Sequence, residues 1–417
     1  MTERTILIWG AGRIGRGFVA DLFHAAGYRL VLVDESAELI DQLRAAGRYT
    51  IVRAESSERR QDVVIAGYRA LATAQTEELA EAIARADIVA VAVFPQHFPQ
   101  VAQQLAPGIL RRQAERPNVS LDIILCTNLA HAGPQFRALL HEALLPEPGP
   151  HLLTPGLRRR PLRSPQARGE GVREYLEARV GVVETLVIRI VSDPPAHLSE
   201  REPLLVWTNG YPELAVDRHA FKGDIPPVSG LRLVDDMRAE ETRKLYTYNM
   251  VQAALAYWGA RRGYHLVVEC LADPALRSEA EGALDEVSQA LQAEYGFRAA
   301  EMARWIEDAL AQTNNPALGD TLKRLGADPR RKLKREDRLI GPALLARKHG
   351  IQPRCLVRAI AAGLTYDDPG DAGATHVQQQ ISALGLPAAV REVCGLTEAE
   401  ADLIEAIVGA YHHLSSE

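Results

Sequence analysis

A chain of 417 residues, 47% of them apolar, has the material for sizeable buried cores, and its length favours two domains over one. A net charge of −6 argues against nucleic acid or an anionic membrane as the main partner. No apolar run reaches the ~18 residues of a membrane span and no basic-then-apolar leader opens the chain. The four cysteines form no CxxC pair, which suits a reducing cytoplasm better than a disulfide framework or a thiolate zinc site.

In chain order, 5-TILIWG-10 reads as a buried strand, 16–26 as a helix, 29-RLVLVD-34 as a second strand and 36–47 as a second helix. Apolar runs follow at 87–94 and 121-LDIILCT-127. Continuous β-branched runs separated by helical segments predict a parallel sheet covered on both faces, an α/β doubly wound fold of the Rossmann type. Residues 146–171, rich in Pro, Gly and Arg, keep no period and read as an exposed insertion or a basic lid. A strand is expected over 179-RVGVVETLVIRIV-191, then a break at 192–203. From about Val234 onward the pattern is helical, with stops at Pro and Gly such as 367–374. The expected division is a nucleotide-binding domain over 1–195 and a mainly helical catalytic domain over 196–417.

The segment 6-ILIWGAGRIGRGF-18 carries Gly10, Gly12 and Gly15 in the G-x-G-x-x-G spacing, with Ala11, Arg13 and Ile14 between them. Such a loop makes a tight turn, lets backbone approach a pyrophosphate and aims a helix N-terminus at it. Asp34 closes the second strand about 20 residues on, where a carboxylate accepts from the adenosine ribose. It would also repel a 2′-phosphate, so NAD is the expected cofactor. Arg13 lies along the pyrophosphate, in solvent, or toward the ribose.

In the second half, 240-EETRKLYTYNMVQAALAYWG-259 places Lys244, Asn249 and Gln252 within an arc of about 140° at 100° per residue. Burial would bring Lys244 toward neutrality, so that it accepts a hydroxyl proton while hydride leaves carbon. Asn249 would donate to the oxygen on which charge develops. No HExxH or comparable ligand pair is present, and no metal is expected.

These segments, with 126-CTNLAHAG-133, 221-FKG-223 and 331-RKLKREDRLIGP-342, resemble the mannitol dehydrogenase family of polyol-specific long-chain dehydrogenases, and most nearly its polyol phosphate branch. The resemblance implies a Rossmann domain plus a helical domain, NAD, no metal and a monomer. It implies Lys244 as general acid/base, with Asn249 and Asn128 on the reacting oxygen. A small-molecule polyol or sugar phosphate is the implied substrate, mannitol 1-phosphate and fructose 6-phosphate leading. Two positions depart from the family pattern: Gln252 stands where His is usual, and Ile188 in 187-VIRI-190 replaces an Asp. Those departures keep open another polyol, a uronate or a biosynthetic intermediate, and also a non-catalytic NAD(H)-binding sensor. Arg331 and Arg338, in the basic run 330–338, would hold a phosphate or belong to a solvated helix face.

Overall fold

Apolar runs of the first half become strands because each is buried on both faces. The computed structural model describes residues 4–56, 58–129, 131–145 and 165–416. The chain divides into two compact units, Met1–Arg238 and Ala239–Glu417.

The strands of the first unit are β1 (Thr5–Trp9), β2 (Arg29–Asp34), β3 (Arg48–Ala54), β4 (Arg60–Ala66), β5 (Arg69–Ala72), β6 (Ile88–Val91), β7 (Leu121–Leu125), β8 (Val180–Val187), β9 (Val191–Ser192), β10 (Val206–Thr208), β11 (Leu214–Asp217) and β12 (Leu231–Val234). The main sheet has the order β12-β11-β8-β7-β6-β1-β2-β5. From β5 to β8 it is parallel, with Ile6 opposite both Leu30 and Ile88. β11 then runs antiparallel to β8. Ile6 and Ile8 face one core with Phe18 and Phe23, while Leu7 and Trp9 face another with Ile83, Phe98 and Phe136. The expected α/β fold with a parallel Rossmann-type sheet is therefore present.

Helix boundaries follow local chemistry. Ser36 caps Ala37–Ala46 by accepting from the Leu39 amide at 3.2 Å, and Gly47 ends it at φ 63°. The helix expected over 16–26 begins with a widened turn, Gly15–Val19, before Ala20–Ala25.

Three expectations change. The strand anticipated over 179–191 breaks after Val187, and β9 belongs to a second sheet of order β4-β3-β10-β9. The crossing at 188–190 is held by buried Arg189, which pairs with Asp21 and donates to the Gly17 carbonyl at 3.1 Å and the Tyr211 carbonyl at 2.6 Å. β10 pairs with β3, β11 with β8 and β12 with β11, so the first unit runs past the boundary expected at 195. Residues 146–164 of the expected insertion lie outside the described residues, and its end opens the helix Pro165–Arg179. Gly169 and Gly171 hide that helix in the sequence, and Tyr175 and Leu176 anchor it in the core.

The second unit is helical. Met250–Arg261 is its central element, buried at nearly every position. Helices Val267–Ala272, Pro274–Tyr295 and Arg354–Leu364 pack around it. No described helix is long and apolar enough to cross a membrane.

Candidate functional site

Each half of the expected chemistry has a defined place within its own unit. In the first, Gly10 lies at φ +92°, and a Cβ there would sit 2.5 Å from the Ala92 carbonyl oxygen. At Gly15 a Cβ would overlap the Gly10 carbonyl, whereas Gly12 faces open space. The turn therefore closes tightly on β6 and leaves its outer backbone approachable, as a diphosphate requires. Arg16 braces the loop from within, donating to the Ala11 carbonyl at 2.7 Å and the Leu204 carbonyl at 2.8 Å.

Asp34 ends β2 half-buried beside the glycines, and its Oδ1 accepts from the Ser36 amide at 2.9 Å. Oδ2 takes no described hydrogen bond and suits a ribose hydroxyl. Thr73, Phe94, His97 and Gln100 complete the cleft, with the Phe94 ring 72% exposed for apolar contact. These residues fit a dinucleotide. Arg13, by contrast, is paired with Asp193 in solvent, and Ile14 is partly buried against the core.

The helix Met237–Lys244, in the second unit from Ala239 onward, runs through a widened turn, Leu245–Asn249, into Met250–Arg261. Hydrogen bonding from i to i+5 in such a turn stacks residues five apart. Lys244 and Asn249, expected about 140° apart on a regular helix, are thereby brought to one side, with Gln252 on the next turn. All three are half-buried.

Burial pulls the Lys244 ammonium down to about 8; the Arg338 charge acts in the same sense, and Glu241 opposes. Arg338 is itself held by Asp337 at 2.8 Å. Lys332 is buried too, with its ammonium on the Leu325 carbonyl at 2.7 Å and on the Ala327 carbonyl. Burial and the Arg338 charge bring it to about 7. Nothing in the basic run distinguishes Lys332 by sequence, because a helix as short as Pro329–Lys332 shows no period. Arg331 is exposed and donates to Asp328 at 3.2 Å, and its charge also lowers the Lys332 pKa.

Residues 4–230 match the mannitol dehydrogenase Rossmann domain, and residues 236–412 match the mannitol dehydrogenase C-terminal domain. The chain belongs to the mannitol dehydrogenase family. It is accordingly an oxidoreductase of the polyol dehydrogenase class, and its cofactor is NAD. Among solved structures, substrate-free D-sorbitol dehydrogenase is similar at a TM-score of 0.80 and 15% identity, covering 99% of this chain and 93% of that one. Pseudomonas fluorescens mannitol 2-dehydrogenase, in ternary complex with NAD and D-mannitol, is similar at 0.66 and 17%, covering 99% and 92%. These likenesses show that the chain has the fold of the mannitol dehydrogenases.

Two more residues of this family member are placed by the sheet. Asn128 is exposed, just beyond β7 at the carboxyl edge, where ligands of such sheets bind. Ile188 follows β8 and is buried, 5% exposed. Phe94 and His97 were not anticipated as part of the cofactor cleft; a Phe just beyond a β-run is the one cue they carry. Among the described residues no three His, Cys, Asp or Glu side chains group as a metal site.

Replacing Asp34 with alanine is expected to weaken NAD binding roughly ten- to hundredfold, the loss of a charged hydrogen bond of about 1.5–3 kcal/mol. The same change should relax the preference against NADP. Titrating both reduced cofactors by fluorescence checks this, and an unchanged NAD/NADP ratio would remove Asp34 from the ribose site.

Proposed function

We propose that the chain interconverts a sugar alcohol phosphate and its ketose phosphate, with mannitol 1-phosphate and fructose 6-phosphate as the pair. The observation that carries this reading is the Lys244 ammonium, pulled to about 8 by burial and by Arg338, on the side of the helix shared with Asn249. A lysine so placed is neutral often enough near physiological pH to take a proton, and its ammonium form returns one in the reverse direction.

NAD, when bound, supplies the acceptor for the hydride leaving the secondary carbinol carbon. Lys244 Nζ takes the hydroxyl proton, so the alcohol loses a hydride and a proton and becomes a ketone. The Asn249 amide N–H donates to the oxygen as charge develops on it. Asn128 is the second amide proposed for that oxygen. The Arg338 guanidinium, whose charge acts on Lys244, supports an anionic substrate. Arg338 and Arg331 remain the arginines proposed to take a phosphate; each is paired with a neighbouring carboxylate, Asp337 and Asp328 respectively, which the phosphate would have to share or displace.

Buried Ile188 favours a second reading: the same chemistry on a substrate with fewer hydroxyls, such as a uronate or another biosynthetic intermediate. An apolar side chain there leaves a nearby hydroxyl unpaired. The test is NADH oxidation across a ketose panel led by fructose 6-phosphate and fructose. Faster turnover of fructose 6-phosphate supports the phosphate reading. Equal or faster turnover of fructose overturns it, and bound NADH without turnover on any ketose moves the weight to another substrate or to a redox sensor.

The sign of the pH dependence follows from the same group. Alcohol oxidation needs neutral Lys244, so its kcat should rise as pH increases through about 8. Ketose reduction needs the ammonium, so its kcat should fall over the same interval. Profiles moving in the same sense in both directions would exclude Lys244 as the proton carrier.

A further inference from the structure

The widened turn that brings Lys244 and Asn249 together is a departure from the regular helix, and the surrounding side chains account for it. Thr247, fully buried within the turn, donates its hydroxyl to the Arg243 carbonyl at 2.6 Å. That carbonyl lies four residues back, where the backbone ladder changes register. The Trp305 indole N–H in turn donates to Thr247 Oγ1 at 2.8 Å. One hydroxyl thus both accepts and donates, linking the helix Ala299–Thr313 to the backbone immediately before Lys244.

Trp305 is itself fixed. Tyr248 meets its ring edge-on at 5.1 Å, and the Arg243 guanidinium lies 3.9 Å from its centroid. Arg243 also stacks on Phe297 at 4.4 Å and pairs with Glu240 at 2.5 Å and Glu301 at 2.6 Å. Two carboxylates thus face the one guanidinium, and Arg243 is 2% exposed. Filling space alone does not require it: a valine has the shape of threonine, but it lacks the hydroxyl that joins the indole to the carbonyl.

We propose that Thr247, oriented by the Trp305 indole, is the positioning residue that holds the widened turn and so sets Lys244 and Asn249 on one side for proton transfer. The proposal rests on Lys244 as the acid/base for its kinetic consequence, but not for its structural one. A side chain displaced by about 1 Å costs on the order of 10²-fold in rate. Thr247→Val is therefore expected to lower kcat by that order and leave NADH binding unchanged. It should also displace the Lys244 titration, since burial, Arg338 and Glu241 act on the ammonium only as the turn presents it.

The experiment follows Lys244 by NMR of isotope-labelled lysine, with Lys244→Ala as the assignment blank, in the full-length wild type, Thr247→Val and Thr247→Ser. A shifted midpoint and faster amide exchange over 244–250 in Thr247→Val, both restored in Thr247→Ser, support the proposal. An unmoved titration and unmoved exchange in Thr247→Val overturn it, whatever the turnover. If Lys244→Ala retains turnover, the acid/base reading fails while the titration still decides the positioning role. Should Thr247→Val not fold, Trp305→Phe keeps an aromatic ring near Arg243 and Tyr248, removes the N–H donor at the cost of a smaller ring, and is judged by the same two readouts, with Thr247→Ser as the comparison.

Discussion

Turnover of Lys244→Ala is expected to fall by about 10²–10⁴-fold, the range for losing a positioned proton carrier, while NADH binding is unchanged. The two effects separate because the dinucleotide loop, Asp34 and Phe94 belong to the first unit and Lys244 to the second. Lys244→Arg should be nearly as inactive in alcohol oxidation, since a guanidinium with a pKa above ~12 cannot give up its proton to become a base. The alanine variant is expected to fold. With its pKa lowered to about 8 from 10.5, Lys244 is less readily protonated in the folded chain than in the unfolded one. Its burial therefore disfavours the fold below about 8, and this cost is relieved as pH rises toward 10.5. Removing the lysine at neutral pH takes that cost away. Stopped-flow NADH oxidation and a fluorescence titration measure both quantities. A variant that keeps more than roughly a tenth of the wild-type rate would not have lost a general base.

The residues of the cofactor loop and its strands were legible in the sequence because their signals are dense and local. A glycine triplet, a continuous apolar strand on either side and a terminal Asp all lie within 5–34, and the parallel pairing of β1 with β2 follows from them. The second sheet was not legible. β4 is exposed at most positions, and β9 and β10 are two and three residues long, so neither burial nor period marks them. Their pairing is set by contacts far apart in the chain, such as Trp207 opposite Val52.

The lysine site was half legible. Lys244 and Asn249 were identifiable by type and spacing, but a uniform 100° step cannot contain a turn in i-to-i+5 register. That register depends on Trp305, 58 residues from Thr247. The fates of Arg331 and Lys332, adjacent in a basic run, diverge for the same reason. One side chain finds Asp328 at the surface, and the other finds two backbone carbonyls inside.

The largest loss of stability is expected from Asp21→Ala. Asp21 is fully buried, and its carboxylate takes Arg189 on one oxygen and Arg53 on both, at 2.5 and 3.0 Å. Arg189 is buried as well, stacked on Phe18 at 4.5 Å, and its burial lowers the guanidinium pKa while Asp21 opposes that shift. Removing the carboxylate strands a buried guanidinium, which costs about 3–5 kcal/mol. For a unit of this size the melting temperature should drop by on the order of 10 °C. Arg53→Met should cost much less, because Arg53 is 23% exposed and Arg189 still has its partner. Arg189 donates to the Gly17 carbonyl as well, so the same carboxylate steadies the helix that follows the glycine loop. Calorimetry with and without NADH checks both points. Asp21→Ala should melt earlier and also gain less from the cofactor than the wild type. An Asp21→Ala protein no less stable than Arg53→Met would mean that Arg189 finds water or another acceptor, and that the buried pair does not anchor the crossing at 188–190.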